Sequence, residues 1–282
     1  MAKLYGLIGF PVKHSYSAIM HNAAFREMGI DARYELFEVK AENLGEEFRK
    51  KVGQGICGLN ITIPYKEKII EWVDQLQQEA RLIGAVNTIK VDRDKTTRGF
   101  NTDGLGFITH LQEVINFNPE GKRTAVLGAG GAARAVSVSL AQKAKEIALF
   151  DIDKERALRL KEMLTANFSG CVVRTVSETD DLLDENTDLL VNATPCGMHK
   201  GDPLLINPDK LHKRLFVYDL IYNPGETPLL SEAKRRKCAG IFNGLGMLLY
   251  QGALAFKIWL EVEAPIKVME QALKEALSQY AA

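Results

Sequence analysis

Two groups of residues in this 282-residue chain have the types and spacing to do chemistry. The first is Gly128, Gly130 and Ala133, which satisfy G-x-G-x-x-G/A directly after the apolar run Thr124 to Leu127 and at the head of a segment with Ala133, Val136 and Leu140 at helical spacing. Gly128 permits a tight turn, Gly130 lets backbone approach a pyrophosphate, and Ala133 is small enough for the helix to lie close to the strand. The helix N-terminus then offers free N–H groups to phosphate. A glycine triplet alone is weak evidence, since similar turns occur without a ligand. The next strand strengthens it, because it ends in Asp151, about 20 residues past the glycines, where a carboxylate can accept hydrogen bonds from ribose hydroxyls. Asp153 can cap the following helix and so leaves Asp151 for a ligand. The stretch Thr124 to Asp151 predicts a dinucleotide site and, with it, oxidoreductase chemistry.

The second group consists of short polar stretches at the ends of expected strands: His14 to Ser17, Asn60 and Thr62 before Pro64, Tyr65 and Lys66, then Asn87 and Thr88, then Asn101 to Asp103. Hydroxyls, amides and one Lys/Asp pair suit a polyhydroxylated ligand held by many hydrogen bonds. Each element alone has an ordinary reading: Ser15 or Ser17 as a helix N-cap, Asn60 as a turn residue, Lys66 as a solvated lysine. The five histidines form no ligand spacing, so no metal is expected. Cys57 and Cys196 have no identifiable activating histidine and read as small buried hydrophobes.

Positioning these residues requires strands alternating with helices. Strand character recurs at Leu4 to Ile8, Tyr34 to Phe37, Gly58 to Ile61 and Val86 to Val91, with helical spacing at Ile19 to Met28 and Leu44 to Val52. A second series runs through Thr124 to Leu127, Ile147 to Phe150, Val172 to Val176, Leu189 to Asn192, Leu215 to Asp219 and Gly240 to Phe242. It suits a doubly wound sheet. A connecting helix is expected over Asp103 to Asn116, and the chain ends in helices over Gly246 to Glu261 and Ile266 to Tyr280. The fold class is α/β in two lobes.

The length suits two domains, and 46% apolar with 26% charged residues is a globular composition. Thirty-six basic and thirty-six acidic residues cancel, which argues against nucleic acid or a membrane surface and for a small-molecule partner. The four scattered cysteines form no disulfide or zinc pattern, and no leader or membrane span is evident, so a cytoplasmic location is expected.

Longer stretches extend these motifs: HSYSAIMHN at His14 to Asn22, GLNITIPYK at Gly58 to Lys66, GAVNT at Gly84 to Thr88, GFNTDG at Gly99 to Gly104, GAGGAARA at Gly128 to Ala135, NATPCGM at Asn192 to Met198, YDLIYNPGETPLL at Tyr218 to Leu230 and NGLGMLLYQGALAF at Asn243 to Phe256. In these residues and their order the chain resembles the shikimate dehydrogenase family over nearly its whole length. The resemblance implies a substrate-binding catalytic domain of residues 1–105 plus 246–282 and a Rossmann domain of residues 106–245. It implies a substrate cleft between the lobes lined by Ser15, Ser17, Asn60, Thr62, Asn87, Asp103, Tyr222 and Gln251, with Lys66 and Asp103 as the catalytic pair. On the cofactor side it implies Gly128, Ala129, Gly130, Gly131 and Ala132 as the phosphate turn, Asn192 and Thr194 at the edge of the cofactor cleft, and Leu220 and Gly244 near the nicotinamide. The implied activity is reversible reduction of 3-dehydroshikimate to shikimate. Quinate is the alternative substrate, and a non-catalytic sensor of the ligand or dinucleotide is the alternative class. A homodimer is allowed by the sequence.

The chain departs from the family pattern at two places. Ala18 replaces a proline after the serine pair. More consequentially, Asp151, Ile152 and Asp153 stand where many NADP-dependent members have Asn-Arg-Thr, so the arginine that grips the ribose 2′-phosphate is missing. A carboxylate at Asp151 would repel that phosphate and accept from a free diol, which leads to an expectation of NAD over NADP. Lys154 and Arg156 are the residues that could still admit NADP.

Overall fold

A computed structural model describes residues 2–280. In chain order it comprises β1 (Lys3–Gly9), α1 (Ser17–Glu27), β2 (Ala32–Glu38), α2 (Leu44–Gly53), β3 (Gly58–Ile61), β4 (Gln75–Leu76), α3 (Gln78–Ile83), β5 (Thr88–Val91) and β6 (Thr97–Phe100). Helix α4 (Asp103–Thr109) runs on into a π-helical turn, His110–Val114. There follow β7 (Arg123–Leu127), α5 (Gly131–Ala141), β8 (Glu146–Phe150), α6 (Lys154–Asn167), β9 (Val172–Thr175), β10 (Leu189–Asn192), β11 (Phe216–Asp219), α7 (Pro228–Arg235) and β12 (Gly240–Phe242). Helices α8 (Leu245–Leu260) and α9 (Ile266–Tyr280) complete the chain's elements. No helix among the described residues is long and apolar enough to cross a membrane.

The chain divides into two compact units, one running up to Gly106 and resuming at Leu248, the other Phe107–Met247. The first unit has a six-stranded sheet in the order β2-β1-β3-β5-β6-β4. Strands β1, β2 and β3 are parallel, whereas β5 runs antiparallel to both β3 and β6. In this register Ile8 faces Ile61, Asn60 faces Thr88, and Thr88 faces Phe100. Strands β1, β3 and β6 therefore end, and β5 begins, at one edge of the sheet. All the polar stretches of this unit leave from that edge. The antiparallel β5–β6 hairpin and the two-residue β4 were not expected from sequence: Thr97 to Phe100 is too short, and too interrupted by Arg98 and Gly99, to show a period of two.

Apolar side chains on this sheet pack with those of α2, as in the cluster of Ile8, Leu44, Phe48, Leu59, Ile61 and Ile89. Elsewhere in the unit α1 packs against α9, and aromatic rings of α1, β1, β2 and α8 meet: Tyr5 lies 5.3 Å from Phe25 and 5.1 Å from Trp259 between ring centroids. Trp259 Nε1 donates to the Ile89 carbonyl at 2.9 Å, so its polar atom is satisfied inside the core.

The second unit has the order β12-β11-β10-β7-β8-β9, with every pair parallel. Renumbered within the unit this is the doubly wound order, whose direction of winding reverses between β7 and β10. Such a reversal opens a ligand crevice at the carboxyl ends of those two strands. Gly128 follows one of them and Asn192 ends the other.

His21 of α1 is wholly buried, stacked on Tyr34 with centroids 4.6 Å apart, and neither ring nitrogen has a hydrogen-bond partner among the described residues. Burial lowers its pKa from 6.5 to about 3. The neutral ring thus contributes stability above pH 6.5 that is lost as pH falls towards 3. Chemical denaturation at stepwise pH should show a slope of about 1.4 kcal/mol per pH unit from this group between those limits. In His21→Leu that part of the slope should vanish, and an unchanged acid limb would refute the assignment.

Candidate active site

At the shared sheet edge of the first unit, the Lys66 ammonium donates to Asp103 Oδ2 at 2.6 Å, with side chains 14% and 4% exposed. Asp103 opens α4, and its backbone N–H donates to Asn101 Oδ1 at 3.0 Å. Its second oxygen, Oδ1, accepts from Asn87 Nδ2 at 2.8 Å. The same Asn87 Nδ2 also lies within hydrogen-bond distance of Thr102 Oγ1 (2.9 Å) and Gln251 Oε1 (3.2 Å). Asn87 Oδ1 accepts from the Thr102 N–H at 2.8 Å and the Thr88 hydroxyl at 3.0 Å. Because the Thr102 N–H can only donate, the amide orientation of Asn87 is determined, and its NH2 must face the Asp103 carboxylate.

The chain of contacts continues inward. Asn60 Nδ2 donates to the Asn87 carbonyl and to Thr88 Oγ1, each at 3.0 Å, while Asn60 Oδ1 accepts from the Tyr34 hydroxyl at 2.8 Å. Thus Lys66, Asp103, Asn87, Asn60 and Gln251, all named from sequence, are joined in one network. Ser15 and Ser17 pair with each other at 3.2 Å between hydroxyl oxygens, and Thr62 is tied to the end of β1 through its N–H to the Ile8 carbonyl. Tyr34, Thr88 and Thr102 complete the network; Tyr34 had appeared in the sequence only as the start of a strand.

In the second unit Gly128 has φ +101°, a conformation that favours glycine, and a Cβ there would stand 3.1 Å from the Ala193 carbonyl oxygen of the neighbouring crossing. Gly130 caps α5, and among the described residues beyond its chain neighbours a Cβ there would meet a guanidinium nitrogen of Arg156, at 3.6 Å. The turn therefore offers an open concavity, backbone donors at a helix N-terminus and a cation beside it, which fits the pyrophosphate and adenosine end of a dinucleotide. Ala133 is fully buried against the sheet, in keeping with the close packing expected of it.

Asp153 caps α6, its carboxylate accepting from the Arg156 N–H at 3.1 Å. Asp151 has a task the sequence did not disclose. Its Oδ2 accepts from the Ala129 N–H at 2.6 Å and its Oδ1 from the Asp153 N–H at 2.9 Å, so it braces the glycine turn from below.

Asn192 Oδ1 accepts from both the N–H and the hydroxyl of Thr194, at 3.1 and 2.7 Å. Leu220 donates its N–H to the Asn192 carbonyl at 2.9 Å, and a Cβ on Gly244 would stand 1.9 Å from the Leu220 carbonyl oxygen, so these positions are in backbone contact. Tyr222 lies in the loop after β11. Sequence reasoning missed Asp219, which is fully buried at the end of β11. Burial raises its pKa to about 6, against hydrogen bonds from Thr227, Ile221 and Asn192 that hold it down. All four cysteines are free thiols, and burial raises the pKa of Cys196.

Comparison with known proteins places these features in context. The model of the shikimate dehydrogenase substrate binding domain matches residues 7–89, and that of the shikimate 5'-dehydrogenase C-terminal domain matches residues 244–274. A shikimate dehydrogenase (NADP(+)) of Methanopyrus kandleri is 46% identical over 96% of this chain and 95% of its own length. One from Methanocaldococcus jannaschii is 44% identical over 98% of each. A crystal structure of a shikimate dehydrogenase in complex with NADP+ superposes with a TM-score of 0.89 at 41% identity, covering 98% of this chain and 96% of that one.

These names overturn the expected preference for NAD: the relatives are NADP(+) enzymes, and the superposed structure holds NADP+. Physically, the expectation treated Asp151 as a bare charge facing a ribose. Its two oxygens are instead engaged by backbone N–H groups, and the Arg156 guanidinium lies beside the turn although Ile152 replaces the usual arginine. Nor do the names favour quinate as substrate. Asp151→Ala should lower stability by about 1–2 kcal/mol in denaturant titrations without nucleotide, the cost of two orphaned backbone donors. An unchanged midpoint would show that the carboxylate does not brace the turn.

Proposed function

The chain belongs to the shikimate dehydrogenase family, and on that footing we propose that it interconverts 3-dehydroshikimate and shikimate with NADP(H). In this reading the first unit binds the ring acid and the second the dinucleotide. The observation that carries it is the Lys66–Asp103 contact at 2.6 Å, its carboxylate buried and its ammonium partly so, at an edge lined by hydroxyls and amides.

Bound NADPH supplies the hydride that reduces the ketone carbon, and NADP+ takes it back in the reverse direction. The chain manages the proton. As the carbonyl π bond breaks and its oxygen gains negative charge, Lys66 Nζ gives that oxygen a proton; the neutral amine is then reprotonated from solvent. In oxidation the neutral Lys66 amine takes the hydroxyl proton. Asp103 Oδ2 directs Nζ and balances its charge, while Asn87 holds Oδ1 and so fixes the carboxylate plane. Ser15, Ser17, Asn60, Thr62, Gln251 and Tyr222 are assigned to the substrate's hydroxyls and carboxylate, with Asn60 acting largely through Asn87 because its own amide is engaged on both sides.

Asp151 belongs on the cofactor side as the brace of the phosphate turn, together with Gly128, Ala129, Gly130, Gly131 and Ala132, and Asn192, Thr194, Leu220 and Gly244 belong to the crossing loops. Arg156 is assigned to the 2′-phosphate, where a guanidinium can make paired charge-assisted hydrogen bonds.

Lys66→Met should lower kcat for shikimate oxidation about 100- to 10,000-fold, with little change in KM, in rates followed by nicotinamide absorbance. Near-normal turnover would remove Lys66 from the chemistry. Arg156→Ala should raise KM for NADP about tenfold while leaving that for NAD nearly unchanged. Equal effects on both cofactors would take Arg156 away from the 2′-phosphate.

A further inference from the structure

Asp219 is an anion buried at 0% exposure, and the partners the structure gives it are neutral hydrogen-bond donors. Burying a carboxylate without a cation is costly, and its raised pKa reflects that cost. Stability alone would favour an apolar residue at such a position.

Its contacts suggest what it is retained for. Oδ1 accepts from Asn192 Nδ2 at 3.0 Å and from the Ile221 N–H at 3.1 Å, while Oδ2 accepts from the Thr227 hydroxyl at 2.6 Å. Asn192 begins one loop, in which its own Oδ1 holds Thr194 and its Nδ2 also reaches the Cys196 carbonyl at 3.2 Å. Ile221 and Thr227 bracket the other loop, which carries Tyr222, and Thr227 also caps α7 by accepting from the Leu230 N–H. One carboxylate therefore grips the root of the loop assigned to the dinucleotide and both ends of the loop that presents Tyr222.

We propose that Asp219 is a positioning residue for the reaction, holding the Asn192–Cys196 and Leu220–Thr227 loops in a single arrangement through the Thr227 hydroxyl, the Ile221 N–H and the Asn192 amide. The proposal rests on the assignment of Asn192 and Tyr222 made above. A carboxylate suits the task because it accepts from all three donors at once. An asparagine can keep Oδ1 for Asn192 and Ile221 but turns an NH2 towards Thr227, whose hydroxyl then loses its acceptor.

The test compares steady-state kinetics of Thr227→Val, Thr227→Ser, Asp219→Asn and the double variant Asp219→Asn/Thr227→Val, all measured well below their unfolding midpoints. Thr227→Val and Asp219→Asn should each lower kcat/KM for shikimate about tenfold at saturating NADP. Thr227→Ser, which keeps the hydroxyl, should stay near wild type. The double variant should be no worse than either single one, because both remove the same contact. The proposal is overturned if Thr227→Val keeps wild-type kcat and KM while only its midpoint falls, or if Thr227→Ser loses as much activity as Thr227→Val. Should Asp219→Asn fail to fold, the two Thr227 variants decide by themselves. Full activity in Lys66→Met would instead count against the assigned reaction, whatever the Thr227 variants do.

Discussion

Asn87 is 2% exposed, and its amide has to find its partners inside the protein. That requirement organises the first unit's site. Unsatisfied, the amide would cost about 1–3 kcal/mol; satisfied, it can adopt only one orientation, because the Thr102 N–H demands the oxygen and Asp103 Oδ1 demands the NH2. The carboxylate is thereby held from one side and leaves Oδ2 for Lys66. The antiparallel strand β5 contributes to this, since it begins where β3 and β6 end and so delivers Asn87 and Thr88 to the same edge as Asn60 and Asp103.

The two buried carboxylates illustrate different solutions. Asp103 has an ammonium at 2.6 Å and a neutral amide behind it, the arrangement of a group that works on charge. Asp219 has neutral donors from three places in the chain, the arrangement of a group that works on shape. Both are tied down at each oxygen, and in both some of the ties come from residues far away in sequence, Lys66 and Asn87 for Asp103 and Asn192 for Asp219.

Much of this was legible in the residues. The strands of the second unit follow their apolar runs nearly to the residue, as at Leu189–Asn192 and Gly240–Phe242, because buried parallel strands write themselves as short continuous hydrophobic stretches. The glycine turn was legible because steric demands restrict which residues fit it. The hairpin of β5 and β6 was not, since half of it carries threonine, arginine and glycine. Asp151 misled for a related reason: residue type shows that a carboxylate is present but not which donors meet it, and here the backbone N–H groups of Ala129 and Asp153 do. Asp219 and Tyr34 escaped notice because each lies within an apolar run, and only the fold reveals the partners across the chain.

The first unit is interrupted in sequence by the whole of the second. Its aromatic cluster needs Phe256 and Trp259 from α8 to cover Tyr5, His21 and Phe25, and α1 needs α9. During synthesis on a ribosome adding about 5–20 residues per second, the opening strands emerge many seconds before these helices exist. Throughout that interval β1 and α1 carry an uncovered apolar face, whereas the second unit is continuous in sequence and is made entire before α8 is finished. The order of translation thus favours the second unit maturing first and makes the unit that holds Lys66 and Asp103 the last to close its core.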